Sequence, residues 1–220
     1  MRVTLKLATS LDGRIATASG ESKWITGPEA RLRVHALRAM HQAVLVGVET
    51  AIADDPELTA RLPEPVGVAQ RYARPPLTRV VLDSRQRLPS HLKVVRTASE
   101  APTLVVTVTE PQARLTDAGV TVVKVAEQDG RPTAGAVLQA LELHGLSAVM
   151  IEGGGQVAAS FIDAGLVDAV EWFRAPMVLG DEGRPAIGGF VLKDLARAPR
   201  FRRTAVREVG ADLWESYERI

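Results

Sequence analysis

SAVMIEGGGQVAASFIDAGLVD, residues 147–168, sets an apolar run from Ala148 to Ile151 against Glu152 and three consecutive glycines. Gln156 to Ala164 then reads as a helix. Glycine allows a sharp turn and a close approach by another group, at a cost in backbone entropy. A helix start just beyond offers free N–H groups and a partial positive charge, which suits a phosphate. Gly153 to Ala158 fits G-x-G-x-x-A, the dinucleotide fingerprint of a Rossmann domain. Two features speak against that version. Too little chain follows residue 153 for the usual strand–helix repeats, and no acidic residue stands at the expected place about 20 positions on. A nucleotide-phosphate site on another fold, and a plain strand–helix turn, both remain open from these residues alone.

Outward from that stretch, strands alternate with helices for most of the chain. Residues 2–8 alternate as a strand, followed by the polar loop TSLDGRIATASGESKWITG. Pro28 suits a first helical turn, and Thr26 with Glu29 has capping-box spacing, so a helix is expected to about Met40. AVLVG, 43–47, reads as a buried strand, and a short helix after it is stopped by Pro56. Residues 57–76 read as a Pro- and Arg-rich loop, with 61–76 the one linker candidate, here taken as internal to a single domain. Strands are expected at 77–83, 102–108 and 119–125, and a helix at 133–144 with Val137, Leu138, Leu141 and Leu143 apolar. DAVEWFRAP reads as a strand, and FRRTAVREVGADLWESYERI as a closing antiparallel hairpin. The expected class is α/β, with a largely parallel mixed sheet flanked by helices and an antiparallel C-terminal hairpin.

Composition narrows the function. A net charge of +1 over 220 residues points to neither nucleic acid nor a membrane surface. The absence of cysteine removes disulfides, thiolate nucleophiles and cysteine-bound zinc. No apolar run approaches the roughly 18 residues of a membrane helix. The N-terminus alternates and lacks a signal-peptide core, so a cytoplasmic protein is expected. His35, His41, His91 and His144 show no ligand spacing, and no metal is expected. GESKWITGPEAR and GVETAIADDPELTAR each follow a strand and each hold a hydroxyl residue, a carboxylate and an arginine. Ser22, Arg38 and Arg61 could converge on a phosphate, for which arginine supplies a planar fork of donors. Each arginine taken alone reads more readily as a solvated surface charge. GDEGRPAIGGF, a glycine-rich loop, either closes over a ligand or only connects strands.

Taken together, LKLATSLDGRIATASGESKWITGPEAR, LRAMHQAVLVGVETAIADDPELTAR, RVVLDSRQRLP, VMIEGGGQVAASFIDAGLVD and WFRAPMVLG run in order over residues 5 to about 180. In them the chain resembles the reductase domain of bacterial riboflavin biosynthesis, 5-amino-6-(5-phosphoribosylamino)uracil reductase, a dihydrofolate-reductase-like fold. The resemblance implies NADPH as cofactor, its phosphates on Gly154, Gly155, Gln156, Val157, Ala158, Ala159 and Ser160. Ala8, Trp24, Thr50 and Asp54 would line the same site, with Ser84 near the adenosine ribose. Arg85, beside it, is our own candidate for the 2′-phosphate. Ser22, Arg38, Arg61 and the backbone at Leu58 would hold the substrate 5′-phosphate. Glu152 would face the substrate, and Lys6 also matches a substrate-site position. The implied chemistry is hydride transfer from the nicotinamide to C1′ of the phosphoribosylamino group. Lys6, Asp54 and Glu152 are the ionisable candidates for the accompanying proton, with water as a fourth.

Bacterial relatives often fuse this domain behind a zinc deaminase with an H-x-E…P-C-x-x-C signature. That signature is absent, so residues 1–220 are expected to be a single reductase domain, served by a separate deaminase or cut from a longer protein. Archaeal and fungal relatives reduce the undeaminated diaminopyrimidinone, but GESKWITGPEAR looks bacterial, so the uracil substrate leads. A non-enzymatic NADPH sensor or a scaffold for a deaminase is the contrasting reading. Relatives form dimers, so a homodimer is expected.

Overall fold

A computed structural model describes residues 1–62 and 76–220, so most of the 61–76 linker candidate lies outside the described residues. The strands are β1 (Arg2–Thr9), β2 (Arg14–Ala16), β3 (Ala43–Gly47), β4 (Thr78–Leu82), β5 (Thr103–Thr107), β6 (Thr121–Lys124), β7 (Glu127–Gln128), β8 (Arg131–Pro132), β9 (Ala148–Ile151), β10 (Ala169–Arg174), β11 (Arg184–Pro185), β12 (Phe201–Val209) and β13 (Asp212–Arg219). The helices are α1 (Pro28–Ala39), α2 (Val48–Asp54), α3 (Lys93–Arg96), α4 (Ala113–Thr116), α5 (Ala134–Leu143) and α6 (Gly155–Asp163). The chain divides into two compact units. One comprises Met1 and Leu32–Val149, the other Arg2–Arg31 and Met150–Ile220.

In the first unit β3, β4, β5 and β6 follow one another in parallel. Every residue of β3 and β5 is buried. That accounts for their unbroken apolar runs, because a parallel strand covered on both faces has no reason to alternate. Val46, Val81 and Val105 pack in a core with Leu88, Leu92, Val94 and Leu115. α2 ends where Asp55 turns left-handed (φ 42°), directly before Pro56. Thr133 caps α5 by accepting a hydrogen bond from Ala136 N. Val137, Leu138 and Leu141 are buried, but Leu143 is 81% exposed at the helix end, against the apolar face expected of it.

Arg79, at the start of β4, is 1% exposed. Its guanidinium donates to Thr103 Oγ1 (3.0 Å), Thr97 Oγ1 (2.6 Å), Thr97 O (2.8 Å) and Ala101 O (2.8 Å). Burial lowers its pKa, opposed by Glu100. Arg79→Ala is expected to cost about 2–6 kcal/mol, because two carbonyls lose their donors at about 1–3 kcal/mol each. A urea-unfolding midpoint unchanged in that variant would contradict this.

In the second unit β1 and β10 are parallel, and β13 and β12 add antiparallel strands beyond β10. The closing hairpin turns at Gly210 (φ 62°), as its alternation implies. Phe173 is fully buried and stacks on Trp214, centroids 5.4 Å apart. α1 starts at Pro28, one residue later than a Thr26 cap would place it. The anchor there is Asp212, 3% exposed, whose carboxylate accepts Gly27 N at 2.7 Å. The loop after β1 holds a strand the sequence pattern did not reveal, β2, which pairs with β11.

Candidate functional site

The first unit gathers the phosphate-site candidates Arg38, Leu58 and Arg61 around Thr59. Arg38 Nη1 donates to Thr59 O (2.9 Å), and Arg61 Nη1 lies 3.4 Å from Thr59 Oγ1. Leu58 is 2% exposed and held at φ 52°. Its side chain belongs to the core, and that anchorage sustains a backbone conformation an L-residue seldom adopts. Arg61 is exposed and pairs with Glu57. His35 is a residue the sequence left without a role. Its Nδ1 lies 3.2 Å from Thr59 O and accepts the Arg61 N–H at 3.2 Å. One ring nitrogen serves only one of these partners at a time: carrying a proton it donates to Thr59 O, and without one it accepts from Arg61 N.

Thr50 and Asp54 lie half-buried on α2. Ser84 and Arg85 sit on a tight turn just past β4, at a carboxyl strand end, where open α/β sheets place their ligands. The turn is fixed on both sides. Asp83, fully buried, accepts Leu88 N at 2.7 Å, while its Oδ1 has no hydrogen-bond partner among the described residues. Gln86, also buried, donates to Thr109 Oγ1 and Glu110 O and accepts Gln112 N. Arg85 is exposed on this rigid turn, whereas Arg87 is engaged by Glu49 at 2.6 Å.

The second unit holds the remaining candidates. Lys6 and Ala8 lie half-buried on β1, Lys6 in register with Glu171 of β10. Glu171 accepts Trp214 Nε1 (2.5 Å) and Ser216 Oγ (2.7 Å). Ser22 is half-buried in the loop before α1. Trp24 is 66% exposed, with the Arg31 guanidinium 4.3 Å above its ring. Glu152 is half-buried and leads into the glycines. Gly154 takes φ 87°, ψ 110°, which is glycine territory, and α6 starts immediately after it. The first turn of this nine-residue helix has no acidic residue, and its N-cap, Gly154, makes no side-chain cap bond. Its N–H groups and positive end therefore fit a phosphate group. Gly155 is required for another reason. A Cβ there would meet Pro185 O at 2.5 Å, so its close neighbour is the protein's own backbone.

The RibD C-terminal domain family matches residues 1–214. The chain belongs to that family. It is 36% identical over 216 residues to the riboflavin biosynthesis protein RibD of Bacillus amyloliquefaciens, covering 96% of this chain and 55% of that protein. It is 35% identical over 217 residues to the 2,5-diamino-6-ribosylamino-4(3H)-pyrimidinone 5′-phosphate reductase of Methanothermobacter thermautotrophicus, covering 98% of this chain and 96% of that protein. Acinetobacter baumannii RibD superposes on all of this chain with a TM-score of 0.86 and 32% identity, matching 58% of its own length. This member of the RibD C-terminal domain family thus spans just over half of the RibD proteins it matches. An Enterococcus faecalis dihydrofolate reductase, 15% identical, superposes on 99% of this chain with a TM-score of 0.51. The fold is dihydrofolate-reductase-like. Among the described residues no helix is long and apolar enough to cross a membrane.

Proposed function

We propose that residues 1–220 act as one cytoplasmic reductase domain that uses NADPH to reduce the ribosyl group of 5-amino-6-(5-phosphoribosylamino)uracil to a ribityl chain. The observation that carries this reading is the start of α6, with no acidic residue in its first turn behind the positive-φ Gly154, in a chain of the RibD C-terminal domain family. Gly154 to Ser160 form the cofactor phosphate site, its backbone donors lying ahead of Ala158, whose own N–H closes onto Gly154 O. Ala8, Trp24, Thr50, Asp54 and Ser84 line the cofactor, and Arg85 takes its 2′-phosphate. Ser22, Arg38, Arg61 and the Leu58 backbone take the substrate phosphate, and Glu152 faces the substrate.

NADPH, when bound, supplies a hydride for C1′ of the phosphoribosylamino group. The protein's part is alignment and exclusion of water. It also holds the proton that accompanies ring opening, and Lys6, Asp54 and Glu152 are the side chains proposed to hold or relay it. The reading brings two partners, a second copy of the chain and a separate deaminase that supplies the substrate.

A second reading takes the undeaminated pyrimidinone as substrate. It is favoured by the archaeal reductase, which this chain matches over 96% of that protein's length. Label transfer tests the reaction itself. With NADPH carrying deuterium at both C4 positions, one deuterium is expected at C1′ of the ribityl product, and a product without label would sink the hydride reading. Arg85→Ala is expected to shrink the preference for NADPH over NADH about tenfold, as the loss of one charged hydrogen bond implies. An unchanged ratio would assign the 2′-phosphate to another residue.

A further inference from the structure

The loop after β10, left by the sequence between a lid and a connector, is tied by backbone to two other segments of its unit. Leu11 N donates to Met177 O (2.7 Å), and Ala186 N to Gly13 O (3.0 Å). Arg14 Nη1 reaches Gly183 O (3.2 Å). The Asp12 carboxylate gathers the Ser10 hydroxyl (2.5 Å), Leu179 N (3.2 Å) and Gly180 N (2.8 Å). At its far end the loop touches the glycine turn, with Gly188 N donating to Gly155 O at 3.0 Å and Pro185 O packed on the Gly155 Cα.

We propose that residues 177–188 are a clamp that sets the position of the α6 N-terminus, and that Asp12 is the positioning residue that anchors the clamp. The inference rests on the reading of α6 as the NADPH phosphate site. Three successive glycines make a turn with little stiffness of its own, and a phosphate site depends on donors held in fixed directions. The stiffness must then come from neighbours. The clamp supplies it backbone to backbone, a contact that only glycine at 155 permits.

Asp12 is exposed, yet its carboxyl is held down at about 2, first by the Ser10 hydroxyl, with the Leu179 and Gly180 N–H groups adding to it and partial desolvation opposing. The folded value lies below the unfolded one. The anchor therefore contributes fully above the ordinary carboxylate range and is lost only as pH falls through about 2. Asparagine at this position would offer one acceptor oxygen in place of two, against three donors.

Asp12→Asn, Gly155→Ala and the double variant, in the full chain, test the clamp. Asp12→Asn is expected to raise the NADPH dissociation constant about tenfold and to leave the substrate KM within about twofold. In the ligand-free chain it is expected to speed amide hydrogen exchange at Gly188 and at Ala158, whose N–H closes the first turn of α6 onto Gly154 O. The double variant is expected to bind NADPH no worse than the weaker single, since both release one contact. Additive losses, or an Asp12→Asn chain with lower thermal stability but unchanged NADPH affinity, would overturn the proposal. If the unaltered chain bound no NADPH, the cofactor reading would fall by itself. Exchange at Ala158 would still judge the clamp, and an unchanged rate in Asp12→Asn would refute it.

Discussion

Arg61→Ala is expected to raise the KM for the phosphorylated substrate about 10- to 100-fold, the worth of a charged hydrogen bond of about 1.5–3 kcal/mol. The NADPH dissociation constant is expected to stay within about twofold, because a residue confined to the substrate phosphate makes no cofactor contact. The structure shows Arg61 exposed and paired with Glu57. An exposed pair of this kind is worth at most about 1 kcal/mol, so a phosphate dianion wins the guanidinium from the carboxylate. Arg61 is also held at its backbone, where His35 accepts its N–H, and Arg38 donates to the carbonyl two residues before it. Steady-state kinetics together with a direct NADPH titration read the two constants separately. Equal loss of both would move Arg61 out of the substrate phosphate site.

Gly154→Ala is expected to weaken NADPH binding by about 5- to 100-fold, the equivalent of about 1–3 kcal/mol of backbone strain. At φ 87°, ψ 110° an L-residue clashes with its own backbone, so the turn relaxes and the start of α6 rotates. Gly165→Ala is the matched control. Gly165 lies just past the other end of α6 at φ 66°, and a Cβ there would press on the Arg219 guanidinium, the flexible end of a side chain. Both substitutions should lower the thermal midpoint, but only Gly154→Ala should change the NADPH dissociation constant. Loss of affinity in both would mean that helix stability, not the geometry of its start, governs binding.

The elements carried by period and punctuation were legible in the sequence. AVLVG and LTRVVLD are strands because a parallel strand covered on both faces needs no alternation. Thr133 announces α5, Pro56 ends α2, and alternation around Gly210 gives the C-terminal hairpin. α3 and α4, four residues each, are shorter than any window in which a 3.6-residue period can show. β2 and β11 are defined by their pairing across the chain rather than by their own residues.

Within the candidate site, proximity was legible where residues lie close in sequence. Leu58 and Arg61 fall within one loop, and Arg38 meets it through Thr59. Asp12 was not legible, because the N–H groups it holds lie 167 and 168 positions away, and an Asp-Gly pair by itself signals only a turn. The same holds for Asp212, which pins Gly27 from 185 positions along the chain. The glycines were legible as a turn but not in their division of labour. Gly154 supplies the backbone angle, and Gly155 makes room for Pro185 O.

The proposed reduction is tested by following NADPH oxidation at the reduced-nicotinamide absorbance band. 5-Amino-6-(5-phosphoribosylamino)uracil and its undeaminated diaminopyrimidinone counterpart are run in parallel. Turnover of the uracil compound in preference to the other is expected. Oxidation with the pyrimidinone alone would select the reduce-first reading. NADPH binding without oxidation in either reaction would contradict the central claim and leave a dinucleotide-binding protein that is not this reductase.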